Sequence, residues 1–344
     1  MPRFPLSSTL AVFLSTIFFG VQAVGQETTP PLKAGIIGLD TSHVVAFTQL
    51  LNNPKAKGVL SEVRVVAAYP GGSPDVPDSR NRIAGFTKQL RDKFGVEIVD
   101  SIEALLPKVD VVLLESVDGR PHLEQVKPVL KARKPVFIDK PVAGSLADAI
   151  QIYDLAKKYQ TPCFSSSSLR FSKGIAEMRS NPNVGEVLGC EAHSPCPLEE
   201  RHPDLFWYGI HGVEMLFTIM GTGCESVTRV QTKGTELVTG IWKGGRVGTY
   251  RGIRAGKADY RALVFGSKGI VPSGSDAGYE PLVVEICKFF KSGRPPVSAE
   301  ETLEIYAFME AADESKRRGG VPVTLQEVML KARAAAGQQK KNGD

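Results

Sequence analysis

The chain has 344 residues, 42% of them hydrophobic and 23% charged. This composition is typical of a globular protein, and the length is enough for two domains. The formal net charge is only +5, and the positive residues are spread along the chain, so we expect no nucleic-acid partner.

Residues 1–25 have the composition of a secretory signal peptide. Arg3 supplies a positive start, Leu10–Phe19 is a mostly apolar run, and small residues at 21–25 offer cleavage sites. No twin arginine is present, so we expect export of an unfolded chain to the periplasm or the medium. We expect no membrane association after cleavage, and a retained N-terminal anchor is the alternative.

The five cysteines form no CxxC pair and no metal-ligand spacing. Cys190 and Cys196 could form a disulfide in an oxidising compartment, and reduced thiols are the alternative. We predict no metal site, because His193, His202 and His211 are spaced nine residues apart, which is not a helical ligand pair. A GxSxG serine-hydrolase elbow is also absent.

The first predicted strand, Leu32–Leu39, is followed by a turn that departs from the dinucleotide-binding pattern GxGxxG. The first glycine is Gly38, but Asp40 and His43 occupy the second and third glycine positions. A carboxylate at position 40 would lie close to a cofactor phosphate, or it could be an ordinary helix N-cap. The helix N-terminus and two hydroxyls still favour an anion. The candidate cofactor-binding residues of this turn are Gly38, Asp40, Thr41, Ser42 and His43.

The second predicted strand, Val63–Tyr69, lacks the acidic residue that many NAD-binding proteins use to hold the ribose hydroxyls. An irregular loop rich in proline and glycine follows. In this loop Asp75 or Asp78 could supply the acid, whereas Arg80 could meet the 2′-phosphate of NADP. The choice between NAD and NADP therefore stays open.

The stretch from Asp110 to Ala149 predicts strand, helix, strand, turn and helix. Lys140 directly follows the predicted strand at 135–138, at the sheet edge that faces the ligand crevice of an open α/β sheet. It is therefore placed to touch a ligand, although a solvated surface lysine is the alternative. A helix at 146–159 and a strand at 162–165 complete a run of β-α units that predicts a doubly wound parallel sheet over residues 32–165.

A second domain is predicted over residues 166–334. Short strands between Ser226 and Phe265 alternate with glycine turns and predict an open, mainly antiparallel sheet. Helices are predicted at 209–220, 282–292 and 299–316. The fold class is thus α/β, with an N-terminal Rossmann domain and a C-terminal α+β domain, and we expect residues 335–344 to form a disordered tail.

Several motifs in this order resemble the Gfo/Idh/MocA oxidoreductases, a family of sugar and polyol dehydrogenases. In that family the corresponding strand ends in Glu-Lys-Pro, here Asp139-Lys140-Pro141, and the preceding helix opens with a histidine, here His122. The resemblance continues at 170–172, around His211 and in PPVSAEETLEIYAFMEAADES. It implies that Asp139, Pro141 and His122 contact NAD or NADP, and that homo-oligomers form through the open sheet.

The family pattern Asp-x-Gly-x-His-x-x-Asp falls on residues 207–214. Gly209 and His211 match it, Glu214 is a conservative change, and Trp207 replaces the first aspartate. The resemblance implies that Lys140 and His211 are the catalytic acid/base pair. Trp207 could instead stack on a sugar face, and Asp204 could supply the missing carboxylate. The candidate substrate-binding residues are Arg170, Asp204, Trp207 and Glu214.

Three functions are compatible with these residues. The first is an NAD(P)-dependent oxidoreductase that transfers a hydride between a small carbohydrate substrate and a nicotinamide. The second is an NAD-dependent glycosidase that oxidises its sugar transiently. The third is a non-catalytic carbohydrate-binding protein, which the altered glycine turn, the missing ribose acid and Trp207 favour.

Overall fold

The computed structural model describes residues 1–2, 30–274 and 278–343. The predicted signal peptide falls almost wholly outside these residues. Within the described residues, no helix combines the length and the apolar character that crossing a membrane requires.

A six-stranded parallel sheet, sheet A, forms the N-terminal half, with strand order β3-β2-β1-β4-β5-β6. Its inner strands are apolar runs buried on both faces, as expected when helices cover a parallel sheet on both sides. The strands are β1 Leu32–Ile37, β2 Val63–Tyr69, β3 Glu97–Ile98, β4 Val111–Leu114, β5 Val136–Ile138 and β6 Cys163–Ser165. Their carboxyl ends meet at one edge, where a ligand crevice is expected.

The helices connecting these strands begin at residues that the sequence marks. Ser145, for example, caps α6 by accepting a hydrogen bond from the backbone N–H of Asp148 at 3.0 Å. The helices are α1 His43–Leu51, α2 Pro77–Arg80, α3 Ile83–Phe94, α4 Ile102–Leu105, α5 His122–Lys131 and α6 Leu146–Tyr159.

A seven-stranded mixed sheet, sheet B, forms most of the C-terminal half, with strand order β12-β11-β7-β10-β9-β8-β13. Only β10 and β7 run parallel. The strands are β7 Val187–Pro195, β8 Cys224–Gln231, β9 Thr235–Trp242, β10 Val247–Ile253, β11 Arg261–Gly266, β12 Ile270–Pro272 and β13 Val323–Thr324. The predicted fold class is therefore confirmed.

The remaining helices cover one face of sheet B and part of sheet A. They are α7 Lys173–Ala176, α8 Ile210–Met220, α9 Glu280–Ser292, α10 Ala299–Arg317 and α11 Leu325–Gly343. Helices α8 and α10 pack on sheet B. Helix α9 instead buries Val283 and Phe289 against Phe164 and other apolar side chains of the Rossmann half. The domain boundary predicted at residue 165 thus separates the two sheets, but α9, which follows it in sequence, packs on the Rossmann half.

Two further expectations meet a different outcome. The predicted disordered tail at 335–344 is wrong as far as residue 343, because α11 continues to Gly343 through an alanine-rich segment with high helix propensity. Ala336 is 3% exposed and belongs to the core. All five cysteines are buried and free, so Cys190 and Cys196 form no disulfide.

Candidate active site

Lys140 lies at the carboxyl end of β5, in the crevice of sheet A. The Lys140–Pro141 peptide bond is cis, and Lys140 is only 7% exposed. Its Nζ lies 5.2 Å from the centre of the Tyr208 ring, within the range of a cation–π contact. Burial lowers the pKa of Lys140, although the neighbouring Asp139 and Glu115 raise it.

His211 lies in the first turn of α8, close to Lys140. Its Nδ1 shares a hydrogen bond of 2.7 Å with the Ser167 hydroxyl, and its ring meets the edges of Tyr208 and Tyr260. Burial, and then the positive charge of Lys140, hold the pKa of His211 well below its usual value. The imidazole is therefore neutral near pH 7 and able to accept a proton.

Three side chains converge beside Lys140 and form what we call the strand-end cluster: His43, Glu115 and Asp139. Glu115 follows β4, Asp139 follows β5, and His43 opens α1. His43 Nδ1 lies 2.7 Å from Asp139 Oδ2, and one potential ligand atom from each residue lies within 4.8 Å of the others. The cluster is buried, with Glu115 0% exposed.

The carboxyl groups of this cluster have few partners. Neither oxygen of Glu115 has a hydrogen-bond partner, and neither does Asp139 Oδ1. Burial, and then the charges of Asp139 and Asp40, raise the pKa of Glu115 well above its usual value. Burial also raises the pKa of Asp139, but His43 and Lys140 together outweigh this effect and the net pKa is lowered.

The turn after β1 is held by Gly38 and Asp40. Gly38 has φ +88°, and a Cβ there would lie 2.3 Å from Ser116 Oγ. The Asp40 carboxylate is fully buried. It accepts hydrogen bonds from the Ser79 hydroxyl at 2.6 Å and from the Val117 backbone N–H at 2.9 Å. It therefore joins the loop after β2 to the loop after β4.

Asp40 is not the N-cap that the sequence allowed, because that position belongs to Ser42, whose side chain makes no capping bond. Ser42 is exposed, whereas Thr41 is buried beside it. Burial raises the pKa of Asp40, and the bonds from Ser79 and Val117 offset this only in part.

The loop after β2 is also tied to the loop after β4 by charge. Arg120 donates two hydrogen bonds of 3.0 Å to Asp75 and further bonds to Asp118. Asp75, one candidate for the ribose acid, is thus already paired with Arg120. Asp78 pairs with Arg82 at 3.1 Å. Arg80 donates to the Pro74 carbonyl at 2.8 Å.

Arg170 and Glu214 lie together but are bonded to each other. Arg170 Nε donates to Glu214 at 2.7 Å, and its Nη1 pairs with Glu301 at 2.8 Å. Glu214 also accepts bonds from the Ser166 hydroxyl and the Ser167 N–H. These bonds brace the segment that carries Ser167, and the role of the two charges in substrate binding stays a prediction.

Two other substrate candidates are also placed elsewhere. Asp204 bonds to Arg229 at 2.9 Å and to Lys316 at 2.6 Å, so its carboxylate is already paired with two cations, and its role as the missing acid stays a prediction. Trp207 is 5% exposed and packs with Val76 and Val117, so it offers no open face for a sugar. The sequence alone does not show that the loops containing Val76 and Val117 pack against Trp207.

His122 has a structural role, and its contact with the cofactor stays a prediction. It is fully buried, with Nε2 2.8 Å from the Ser116 carbonyl and Nδ1 3.3 Å from the Val142 carbonyl. It thereby links the loops that follow β4 and β5. Burial lowers its pKa.

Sequence reasoning missed four residues of this region: Glu115, Ser167, Tyr208 and Tyr260. Glu115 directly follows a predicted strand, so the rule that singled out Lys140 applies to it equally. Tyr208 stands within the family pattern at 207–214. Nothing in the sequence marks Ser167 or Tyr260, because both reach His211 through distant parts of the chain.

Comparison with known proteins places these observations in a family context. The model of the family GFO_IDH_MocA, described as an oxidoreductase family with an NAD-binding Rossmann fold, matches residues 77–166. A myo-inositol 2-dehydrogenase of Thermotoga maritima is 29% identical over 212 residues, which cover 53% of this chain and 62% of that protein. The uncharacterized oxidoreductase YhhX of Escherichia coli is 29% identical over 115 residues, 29% of this chain and 32% of that protein. The chain thus spans less than two thirds of these relatives.

Solved structures support the same fold along most of the chain. A probable dehydrogenase from Thermotoga maritima superposes with a TM-score of 0.70 at 24% identity, covering 86% of this chain and 100% of that one. The scyllo-inositol dehydrogenase from Lactobacillus casei with bound NAD(H) and scyllo-inositol gives a TM-score of 0.70 at 13% identity, with coverages of 86% and 99%. At these identities the likeness establishes the fold alone.

Proposed function

We propose that the chain is an NAD(P)-dependent oxidoreductase of the Gfo/Idh/MocA family, whose model matches residues 77–166. Its substrate would be a sugar, a polyol such as an inositol, or a related carbohydrate. One observation carries this proposal: Lys140 and His211 converge on the Tyr208 ring at the carboxyl end of β5. The names of the inositol dehydrogenases that resemble this chain support the substrate class.

The residues of the crevice fit a dinucleotide on the condition that Asp40 carries a proton. Gly38 makes the tight turn that brings the backbone close to Ser116, and α1 directs its N-terminus to the same edge. Asp40 occupies the position where the family has a glycine. A charged carboxylate there would repel a phosphate, whereas a protonated carboxyl can donate a hydrogen bond to it. Burial already raises the pKa of Asp40, so we propose that Asp40 is protonated when the cofactor is bound.

The nicotinamide cofactor, when bound, supplies the hydride acceptor or donor, and the protein supplies proton transfer and orientation. Ser167 holds His211 through Nδ1, which fixes the ring so that Nε2 faces away from Ser167. Burial lowers the pKa of Lys140, which brings its proton loss closer to neutral pH, where acid/base catalysis is most efficient. We propose that Lys140 and His211 transfer the proton of the substrate hydroxyl.

The first experiment measures cofactor binding. Residues 26–344 are purified and denatured, and released NAD(P) is sought by mass spectrometry. NAD and NADP are then titrated calorimetrically at pH 6 and pH 8 into wild type, Asp40→Asn and the exposed control Asp100→Asn. At pH 8 we expect Asp40→Asn to bind the nucleotide more tightly than wild type and Asp100→Asn, because an amide cannot carry the negative charge that would repel a phosphate.

Retained nucleotide or saturable binding supports the oxidoreductase. If neither NAD nor NADP binds to any of the three proteins at either pH, the proposal fails. The second candidate, a carbohydrate-binding protein without cofactor, then stands. It is favoured by the bonds of Asp40 and Arg120 that tie the two loops together across the crevice. That candidate predicts calorimetric binding of a sugar or polyol in the absence of nucleotide.

We also propose that the protein is a homo-oligomer. The face of sheet B that α8 and α10 leave open exposes apolar side chains, among them Val230, Ile241 and Val247, which are 65%, 38% and 42% exposed. Such patches mark interaction surfaces. Light scattering after gel filtration should show an oligomer, and Val230→Lys should weaken it; a monomeric wild type would refute this assignment.

Export remains a prediction from the sequence of residues 1–25. Cell fractionation with intact-mass measurement of the full chain tests it. We expect mature protein outside the cytoplasm that lacks about 25 residues, in keeping with the usual length of a signal peptide. A full-length cytoplasmic protein would contradict it.

A further inference from the structure

We propose that the strand-end cluster is a metal site that binds a divalent first-row transition-metal ion through the His43 imidazole and the carboxylates of Glu115 and Asp139. The three residues come from the start of α1 and the ends of β4 and β5. This proposal rests on these side chains alone and not on the proposed redox activity.

Glu115 is the observation that points to a ligand. It is 0% exposed, and neither carboxylate oxygen has a hydrogen-bond partner. Buried polar groups in folded proteins are nearly always bonded, and an unpartnered buried carboxylate is especially unfavourable. Asp139 Oδ1 beside it also lacks a partner. Three carboxylate oxygens in one buried space thus lack a hydrogen-bond partner, and a cation or a hydrogen-bond donor would stabilise them.

The spacing of the three side chains suits a single ion. One ligand atom of each residue lies within 4.8 Å of the others, and His43 Nδ1 is 2.7 Å from Asp139 Oδ2. Ligand atoms bound to one ion at about 2.0–2.2 Å lie roughly 3–4 Å apart. Small side-chain rotations therefore suffice to surround an ion.

The donor set selects the class of metal. One imidazole nitrogen with two carboxylate oxygens suits Zn²⁺, Mn²⁺ or Fe²⁺, whereas Mg²⁺ and Ca²⁺ prefer oxygen ligands only. Three protein ligands leave coordination positions open, as in catalytic rather than structural sites. His43 stands at the third glycine position of the dinucleotide turn, so a ligand role would give a reason for that departure from GxGxxG.

Lys140 is the nearest competitor for these oxygens. Its charge acts on both carboxylates, but within the described chain it satisfies neither oxygen of Glu115 nor Oδ1 of Asp139. A proton on Glu115 is the other way to reduce the repulsion between the carboxylates of the cluster. Metal binding and protonation make opposite predictions for the experiment below.

The test uses the full mature chain, freed of metal by a chelator and titrated with Zn²⁺, Mn²⁺ and Mg²⁺ by calorimetry. We expect one Zn²⁺ or Mn²⁺ per chain and much weaker Mg²⁺ binding. Glu115→Gln and His43→Gln should each lower the affinity at least roughly 100-fold, since even the loss of a residue that only supports a ligand costs 10–100-fold. The matched control is His193→Gln, which removes the exposed His193–Asp259 pair and should change nothing.

Co²⁺ provides a second readout that does not depend on the variants folding. The wild-type protein with one Co²⁺ should show visible d–d absorption of a bound ion, and Zn²⁺ should displace it. Absence of saturable Zn²⁺ and Mn²⁺ binding, unchanged affinity in folded Glu115→Gln, or equal affinity for Mg²⁺ would overturn the proposal. Cofactor titration on the same sample is a separate measurement, so either proposal can fail without the other.

Discussion

Two buried groups of charges in this protein are built in opposite ways. In sheet B, Arg229 is fully buried and pairs with Glu236, Asp204 and Asp313. Arg254 joins through Glu236, and Lys316 joins through Asp204. Three cations therefore face three carboxylates. We call this set the Arg229 cluster.

The strand-end cluster has no such balance. Glu115 and Asp139 share one histidine and the nearby Lys140, and three of their four oxygens lack hydrogen-bond partners. The buried Asp40 adds a further carboxyl close by. Each of these acidic groups lies at the carboxyl edge of sheet A, where ligands bind in this class of fold.

The difference shows what each group contributes. A paired and neutralised cluster fixes the packing of a sheet against its helices, and its removal should cost stability. An unbalanced cluster costs stability as it stands, and such sites are typical of function. Replacing residues of the two clusters should therefore separate loss of activity from loss of folding.

The largest expected effect is on turnover, from Lys140→Met. Under the proposed function this change removes a group that transfers the substrate proton, and general acid/base groups contribute about 10²–10⁴-fold. We expect a loss of that size in kcat in a variant that circular dichroism shows to be folded. The assay follows NAD(P)H absorbance with inositols and sugars as substrates, and the exposed Lys88→Met serves as control. A rate that Lys140→Met leaves intact would remove Lys140 from the mechanism.

Arg229→Met should produce the largest loss of stability. It leaves Glu236, Asp204 and Asp313 without their central cation, and breaking a buried ion pair costs about 3–5 kcal/mol. Urea unfolding followed by circular dichroism measures this, with Arg261→Met as control, because Arg261 belongs to an exposed pair with Asp259 that contributes little. If both variants unfold like wild type, the contrast between the two clusters is lost.

Glu214→Gln tests whether Glu214 binds substrate or stabilises the fold. Glu214 accepts bonds from Ser166, Ser167 and Arg170, so loss of its charge should lower the free energy of unfolding by about 1–3 kcal/mol. KM for the carbohydrate should stay within about twofold, because no binding interaction with substrate is removed. A KM that rises with unchanged stability would restore the substrate-binding role.

Sequence reasoning recovered the fold because its signals are local. Strand Val63–Tyr69 and helix Leu146–Tyr159 have the predicted bounds, since an apolar run and an amphipathic period each end at polar residues within the segment itself. The resemblance to the family was recognised from short motifs in a fixed order. The continuation of α11 was missed because a polar composition at the chain end was given more weight than its alanines.

The contacts of the candidate site residues could be predicted only in part, because side-chain pairing depends on distant contacts. Arg170 and Glu214 are 44 residues apart in sequence, and Asp204 meets Lys316 across 112 residues. No local pattern reports that such charges are already paired. Glu115 is different: it could have been found, since it ends a predicted strand at the same edge as Asp139.

The smallest expected effect is the pH dependence of stability in Asp40→Asn. Burial raises the pKa of Asp40 in the folded protein above its unfolded value of 3.8. The folded state therefore holds the proton more tightly, and wild type loses stability as pH rises above 3.8 through the folded pKa. Asparagine can still accept the hydrogen bond from Val117 and cannot ionise. Compared at pH 5 and pH 8 by urea unfolding, the variant should gain relative to wild type at the higher pH. A difference that does not change with pH would mean that Asp40 ionises freely in the folded protein. Its carboxylate would then repel a cofactor phosphate, as the carboxylates at this edge of sheet A already repel one another.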